Sequence, residues 1–149
     1  MSAGVRFAAL RCSKWRGDDD PDRLAFGDTG TPLRLDARLR ECDYGALKGG
    51  PASEVERERM RRISEPFPGR ESYRQTVERM RSFLGDVAVG HRSGRVIVIG
   101  HSATRWALEH LLKGVPLEEL VPAPFEWQEG WTYELTADTE STASRSEET

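Results

Sequence analysis

Cysteine and histidine are scarce, with two and three copies in 149 residues. Cys12 and Cys42 can form at most one bridge, and their spacing suits neither a disulfide framework nor a metal site, so both read as reduced thiols. Long apolar runs are missing too. No stretch approaches the roughly 20 residues that a membrane-spanning helix needs. Residues 1–16 hold no hydrophobic segment followed by a small-residue cleavage site, so a cytoplasmic protein with no membrane partner is expected. Positive charge is not in excess: 22 Lys and Arg stand against 25 Asp and Glu, a net charge of -3, which speaks against nucleic acid as a partner. The one arginine-dense stretch, Arg57, Arg59, Arg61 and Arg62, alternates with Glu54, Glu56 and Glu58 and reads as a solvated helix face.

What remains is enough for one domain with a modest core. Arg95-Val96-Ile97-Val98-Ile99-Gly100 is a β-branched run of the kind buried on both faces of a parallel sheet. His101-Ser102 follows at once, and residues 103–113 then read as a helix stopped by Gly114, with Pro116 beyond. Upstream, Glu71-Ser72 can cap a helix whose Tyr73, Val77, Met80, Phe83, Leu84 and Val87 recur at intervals of three and four, a core face. A further helix is expected from Ser53 to about Ile63, ended by Pro66-Phe67-Pro68-Gly69. Shorter strands are expected at Val5–Leu10, Leu33–Leu35 and Trp131–Leu135, the last alternating like an edge strand. The domain is expected to span residues 1–136. Residues 137–149 are mostly Ser, Thr and Glu without a large apolar anchor and are expected to be a disordered tail.

Two constellations can carry chemistry. A histidine between a buried strand and a helix sits at the carboxyl end of the sheet, where open α/β folds bind ligands. The free N–H groups and dipole of that helix also favour an anion. His101, with the Ser102 amide and hydroxyl, is therefore a candidate phosphate or oxyanion contact; the bland alternative is a turn histidine bonded to backbone. His91, in a loop, and His110, inside a helix, are poorer candidates. Gly100-His101-Ser102-Ala103-Thr104 also looks like a Gly-x-Ser-x-Gly nucleophile elbow, which would make Ser102 a hydrolase nucleophile. The fifth position is Thr104, however, and the only histidine downstream is His110, about two turns along the same helix. The second constellation is Leu39-Arg40-Glu41-Cys42-Asp43-Tyr44-Gly45-Ala46-Leu47-Lys48-Gly49: a carboxylate beside an arginine, then an aromatic and closely spaced glycines. It suits a tight loop that brings Glu41 near an anionic ligand, and equally an ordinary surface loop.

Taken together, these pieces resemble the histidine phosphatase (phosphoglycerate mutase-like) superfamily. Residues 39–49 look like its Leu-x-Glu-x-x-Tyr-Gly-x-Leu-x-Gly segment. Pro68-Gly69-Arg70-Glu71-Ser72 resembles its Pro-Gly-Gly-Glu-Ser helix start, and residues 96–112 its Val-x-Val-x-x-His strand, turn and helix. The three occur in the family's order and separations, over about residues 25–135. The resemblance implies an α/β fold with a mostly parallel sheet flanked by helices, a phosphorylated small molecule or phosphate ion as partner, and no metal or cofactor. By that resemblance Glu41 is the general acid that protonates the leaving oxygen, His101 contacts the transferring phosphoryl oxygens, and Tyr44 lines the substrate side. The short connection from Gly49 to Pro66 favours a phosphatase over a mutase.

The sequence departs from the family before Glu41. Members begin with a strand ending in Arg-His-Gly, whose histidine accepts the phosphoryl group, and no Arg-His-Gly occurs here. In one alignment residues 5–10 form the strand that leads to a later family segment holding a second arginine. Arg16 is then the candidate phosphate ligand, one residue early. In the other, residues 5–10 take the place of the first strand, and Arg11-Cys12-Ser13 stands where Arg-His-Gly should be. The first is preferred, and it implies that the usual first strand is lacking beside the strand ending at His101. An open sheet edge would follow, through which an incomplete chain or a self-associating one is expected. The functional expectation is a phosphomonoester hydrolase by descent with weak or no turnover. The rivals are a non-catalytic phosphate-binding or interaction module and, remotely, a serine hydrolase using Ser102.

Overall fold

The computed structural model of the chain describes residues 2–9, 34–47, 49–90 and 95–136. Three strands form one sheet: β1 (Ser2–Ala9), β2 (Arg95–Gly100) and β3 (Trp131–Thr136). Four α-helices accompany them among the described residues: α1 (Ala52–Glu58), α2 (Tyr73–Gly90), α3 (Ser102–Lys113) and the short α4 (Leu117–Leu120). β1 is central, parallel to β2 in the register Val5 with Val96 and Ala9 with Gly100, and antiparallel to β3 in the register Val5 with Tyr133. The fold is α/β as expected, although its described sheet has one parallel and one antiparallel pairing rather than mostly parallel strands. The place beside β2 that was expected to stand open is occupied by β1 along its whole paired length.

Covering of the sheet also differs from expectation. Val98 and Gly100 of β2 are buried, yet Ile97 is 47% exposed, so this strand is sealed mainly on one face. β3 repeats the pattern, with Trp131, Tyr133 and Leu135 buried and the alternate residues exposed. The buried side chains of both strands join Val77, Met80, Phe83, Leu84 and Val87 of α2 and Ala103, Trp106, Ala107 and Leu108 of α3 in one core. Alternation at period 2 meeting a helical stripe is what specifies this packing.

Local chemistry sets the helix ends. At the start of α2 the Ser72 hydroxyl accepts from the Gln75 N–H, and the Gln75 side-chain oxygen accepts from the Ser72 N–H, a reciprocal cap that satisfies two otherwise orphaned donors. α3 stops at Gly114, whose φ of 71° allows its N–H to reach back to the His110 carbonyl. Two expectations need correction. Residues 34 and 35 belong to no strand, and Leu35 is 83% exposed. The helix expected from Ser53 to Ile63 ends at Glu58, and a separate 3-10 turn covers Arg61–Ile63. The reason is Arg62. Only 7% exposed, it turns inward to pair with Glu58 at 2.8 Å, donates to the Pro66 carbonyl and lies over the Phe67 ring. The arginine-rich stretch is therefore not uniformly solvated. Residues 5–9 of the expected first strand fall in β1, while the loop at 17–22 and the tail at 137–149 lie outside the described residues.

Candidate active site

β2 delivers His101 to the N-terminal end of α3, where it is the N-cap residue in extended conformation and half-buried. The turn is tight because Gly100 has no side chain: a Cβ there would lie 2.9 Å from Cγ2 of Thr104. That close approach lets the Thr104 hydroxyl accept from the His101 N–H at 3.3 Å. The same hydroxyl donates to the Leu39 carbonyl at 3.2 Å, tying the first turn of α3 to the segment that leads into Glu41.

Glu41 and the His101 turn meet. Oε1 of Glu41 accepts from the N–H of Ala103 at 3.3 Å and from its neighbour Cys42 at 2.9 Å. A carboxylate in this position satisfies one of the free donors of α3 and meets the positive end of its dipole. No cation pairs with Glu41 within 4.0 Å among the described residues. Ser102 is the first residue of α3, half-buried at the same end.

Two residues hold the Glu41 loop in place: Arg79, which the sequence did not single out, and Glu71, which it offered only as part of a helix cap. Arg79 of α2, with a side chain only 11% exposed, makes a two-point pair with Glu71 at 2.7 and 3.0 Å. Its guanidinium also donates to the carbonyls of Arg38, Arg40 at 2.8 Å and Glu41 at 3.2 Å. Glu71 in turn accepts from the Asp43 N–H at 3.3 Å. The loop around Glu41 is thus stitched to α2 by a buried ion pair that spends its spare valences on loop backbone. Burial works against ionising Glu71, but the Arg79 bond and charge outweigh it, and its carboxyl lies below the ordinary range. The sequence offers little signal for this pair, because Glu71 precedes α2 and meets Arg79 only once the helix has formed.

Tyr44 lies three residues past Glu41 with its ring edge-on to Phe67, centroids 5.1 Å apart. Phe67 meets Tyr73 in the same way at 5.9 Å, and Tyr73 meets Trp106 of α3 at 5.2 Å. Burial pushes the Tyr44 phenol far above its usual value, so it is a neutral hydroxyl in this wall. Cys42, 3% exposed, has its thiol pushed up to about 12, chiefly by burial, and is an unreactive core residue.

Arg16 lies outside the described residues, as do Arg11, Cys12 and Ser13. Nδ1 of His110 is 2.9 Å from the Val115 carbonyl at the far end of α3, about 12 Å of helix rise from Ser102, so it gives a serine nucleophile no base. No cluster of three or more metal-ligating side chains occurs among the described residues. No described helix is long and apolar enough to cross a membrane.

Comparison with known proteins gives the family. The family model described as the histidine phosphatase superfamily (branch 1) matches residues 4–144. A relative named "Putative phosphoserine phosphatase 2", from Hydrogenobacter thermophilus (strain DSM 6534 / IAM 12695 / TK-6), is 33% identical over 99 residues. The aligned part is 61% of this chain and 48% of that relative, so the chain spans about half the length of the curated relative it matches.

Proposed function

The chain belongs to the histidine phosphatase superfamily (branch 1), and from that premise we propose that it is a phosphomonoester-binding domain of the phosphatase type. The observation that carries the reading is the Glu41 carboxylate resting on the Ala103 N–H, one residue past His101-Ser102. That amide and its neighbours at the start of α3 form the slot into which a phosphoryl group fits, with the His101 imidazole and the Ser102 hydroxyl as further contacts to its oxygens. Catalysis of phosphoryl transfer consists mainly of positioning and of stabilising charge on the equatorial oxygens, and these groups supply both.

Glu41 supplies the proton. It rests on the Ala103 N–H at the start of α3 and on the Cys42 N–H, beside the place where the leaving oxygen of a bound phosphomonoester would lie. Tyr44 closes the substrate side as a neutral wall. Because the sequence contains no Arg-His-Gly, turnover by this chain is weak or absent, and the same groups then act as a phosphate-binding module. A phosphorylated hydroxy amino acid, the substrate class in the relative's name, is the first compound to test.

The experiment has two arms: hydrolysis of an aryl phosphate ester, and the melting temperature in phosphate against chloride. Phosphate stabilisation that is lost in His101→Ala supports the reading, with or without turnover. A melting temperature indifferent to phosphate, together with no hydrolysis, removes it.

A further inference from the structure

The stretch from Asp36 to Cys42 belongs to no α-helix or strand, yet the backbone acceptors that lead into Glu41 are all met. The carbonyls of residues 38, 40 and 41 accept from Arg79 and that of Leu39 accepts from Thr104, so four consecutive carbonyls are taken by side chains of α2 and α3. The run starts at Arg38, whose own side chain has no part in the site described above. Arg38 lies in the 3-10 turn Ala37–Leu39, and Asp36, the N-cap of that turn, accepts from the Arg38 backbone N–H at 2.9 Å and from its guanidinium at 3.0 and 2.7 Å. The guanidinium also reaches the second half of α2, donating to Asp86 at 2.7 Å and to the Ser82 hydroxyl at 3.0 Å, with its carbon 5.6 Å from the centroid of the Phe83 ring. Arg38 is thus bonded to α2 twice, through its side chain and through its carbonyl.

A free loop would seat the Glu41 carboxylate on the Ala103 N–H only part of the time, because ordering the chain costs conformational entropy. Only three residues separate Arg38 from Glu41, at most about 10 Å of extended chain, so fixing Arg38 on α2 leaves Glu41 little room to quit that amide. Asp86 is 73% exposed, and a pair there adds little to global stability; the value of the anchor is local. Resting on the phosphatase reading above, we propose that Arg38 is the positioning residue that keeps Glu41 seated at the phosphate slot, so that entry of an anion at the start of α3 is governed from the second half of α2. A phosphate must displace the carboxylate from the Ala103 N–H or lie against it, and either weakens its binding.

The test is calorimetric titration of the full chain with inorganic phosphate, in a cycle of Arg38→Met and Glu41→Gln. Glu41→Gln is expected to tighten phosphate binding about fivefold, the worth of one like charge near 4 Å in a water-like medium. Arg38→Met, which keeps an apolar stem against Phe83, is expected to tighten it by a similar factor when Glu41 is present and to have no effect in the Glu41→Gln background. General damage to the loop cannot give that result, since it weakens binding and does so in both backgrounds. Asp86→Asn, at an exposed position, is expected to act in the same direction by about twofold, again only with Glu41 present, and it decides the matter if Arg38→Met does not fold. Tightening by Glu41→Gln with no tightening by Arg38→Met or Asp86→Asn overturns the positioning role while the phosphatase reading stands. An equal effect of Arg38→Met in both backgrounds overturns it too, as does a Glu41→Gln variant that binds phosphate no more tightly than the wild type. Failure of both the wild type and Glu41→Gln to bind phosphate at all overturns the reading beneath, and the positioning role with it.

Discussion

Helix α3 carries a glutamate at each end, and the two are held in opposite ways. Glu109, 8% exposed, accepts from the Tyr133 hydroxyl at 2.7 Å and pairs with Lys113 at 3.2 Å, whose ammonium also lies 4.7 Å from the Tyr133 ring centroid. All its partners are side chains, and together they fasten the helix to β3. Glu41 reaches the other end from a distant loop, rests on backbone N–H groups and has no cation among the described residues. A buried carboxylate closed by its own cation and hydroxyl has nothing left to exchange, whereas one resting on amide donors can yield its place to a ligand.

Four substitutions or conditions test that contrast. The largest effect belongs to Glu41→Gln. It should lower any hydrolysis of an alkyl phosphate by about 100-fold or more, the usual worth of a general acid. The same change removes a like charge from the slot, so inorganic phosphate should bind more tightly in titration; weaker binding would contradict the assignment. Arg79→Met comes next. It leaves Glu71 only the more distant Arg40, at 3.8 Å, and three loop carbonyls without a donor, and should cost about 3 kcal/mol in urea unfolding. Glu109→Leu should cost about 2 kcal/mol by stranding the Tyr133 hydroxyl and Lys113, with no change in phosphate affinity. If Glu109→Leu weakens phosphate binding as much as a change in the Glu41 loop does, the distinction between the two ends of α3 fails. The smallest effect is on acid stability. The Glu71 carboxyl titrates below its unfolded value of 4.5, so its contribution is complete above that pH and is lost as the pH falls toward the depressed value. Acid unfolding of Arg79→Met should lack this component and show a flatter pH dependence there.

The half of the site on α3 was readable from sequence because it depends on short-range patterns. A β-branched run, a glycine, a histidine and a helix with a Gly114 stop dictate where His101 lies, and the registered strands and capped helix follow. The face of α2 was readable for the same reason, with Thr76 added to the expected buried set. The rest was hidden because it depends on contacts between distant segments. Nothing local to Arg79 says that its guanidinium will collect the carbonyls of residues 38, 40 and 41, and nothing local to Arg62 says that it will turn inward under Phe67. The position of β1 beside β2 is likewise a matter of pairing across about 90 residues of chain, which no periodicity encodes. Glu41 was nominated by resemblance, and its approach to Ala103 is visible only in the fold.

One hydroxyl joins the Glu41 segment to the His101 turn. Thr104 bonds the His101 amide on one side and the Leu39 carbonyl on the other, so the approach of the two segments is measured out by a residue that need never meet a ligand. A methyl group at position 100 would push against that threonine and spread both walls at once, which makes the bare α-carbon of Gly100 as much a part of the chemistry as any charged group.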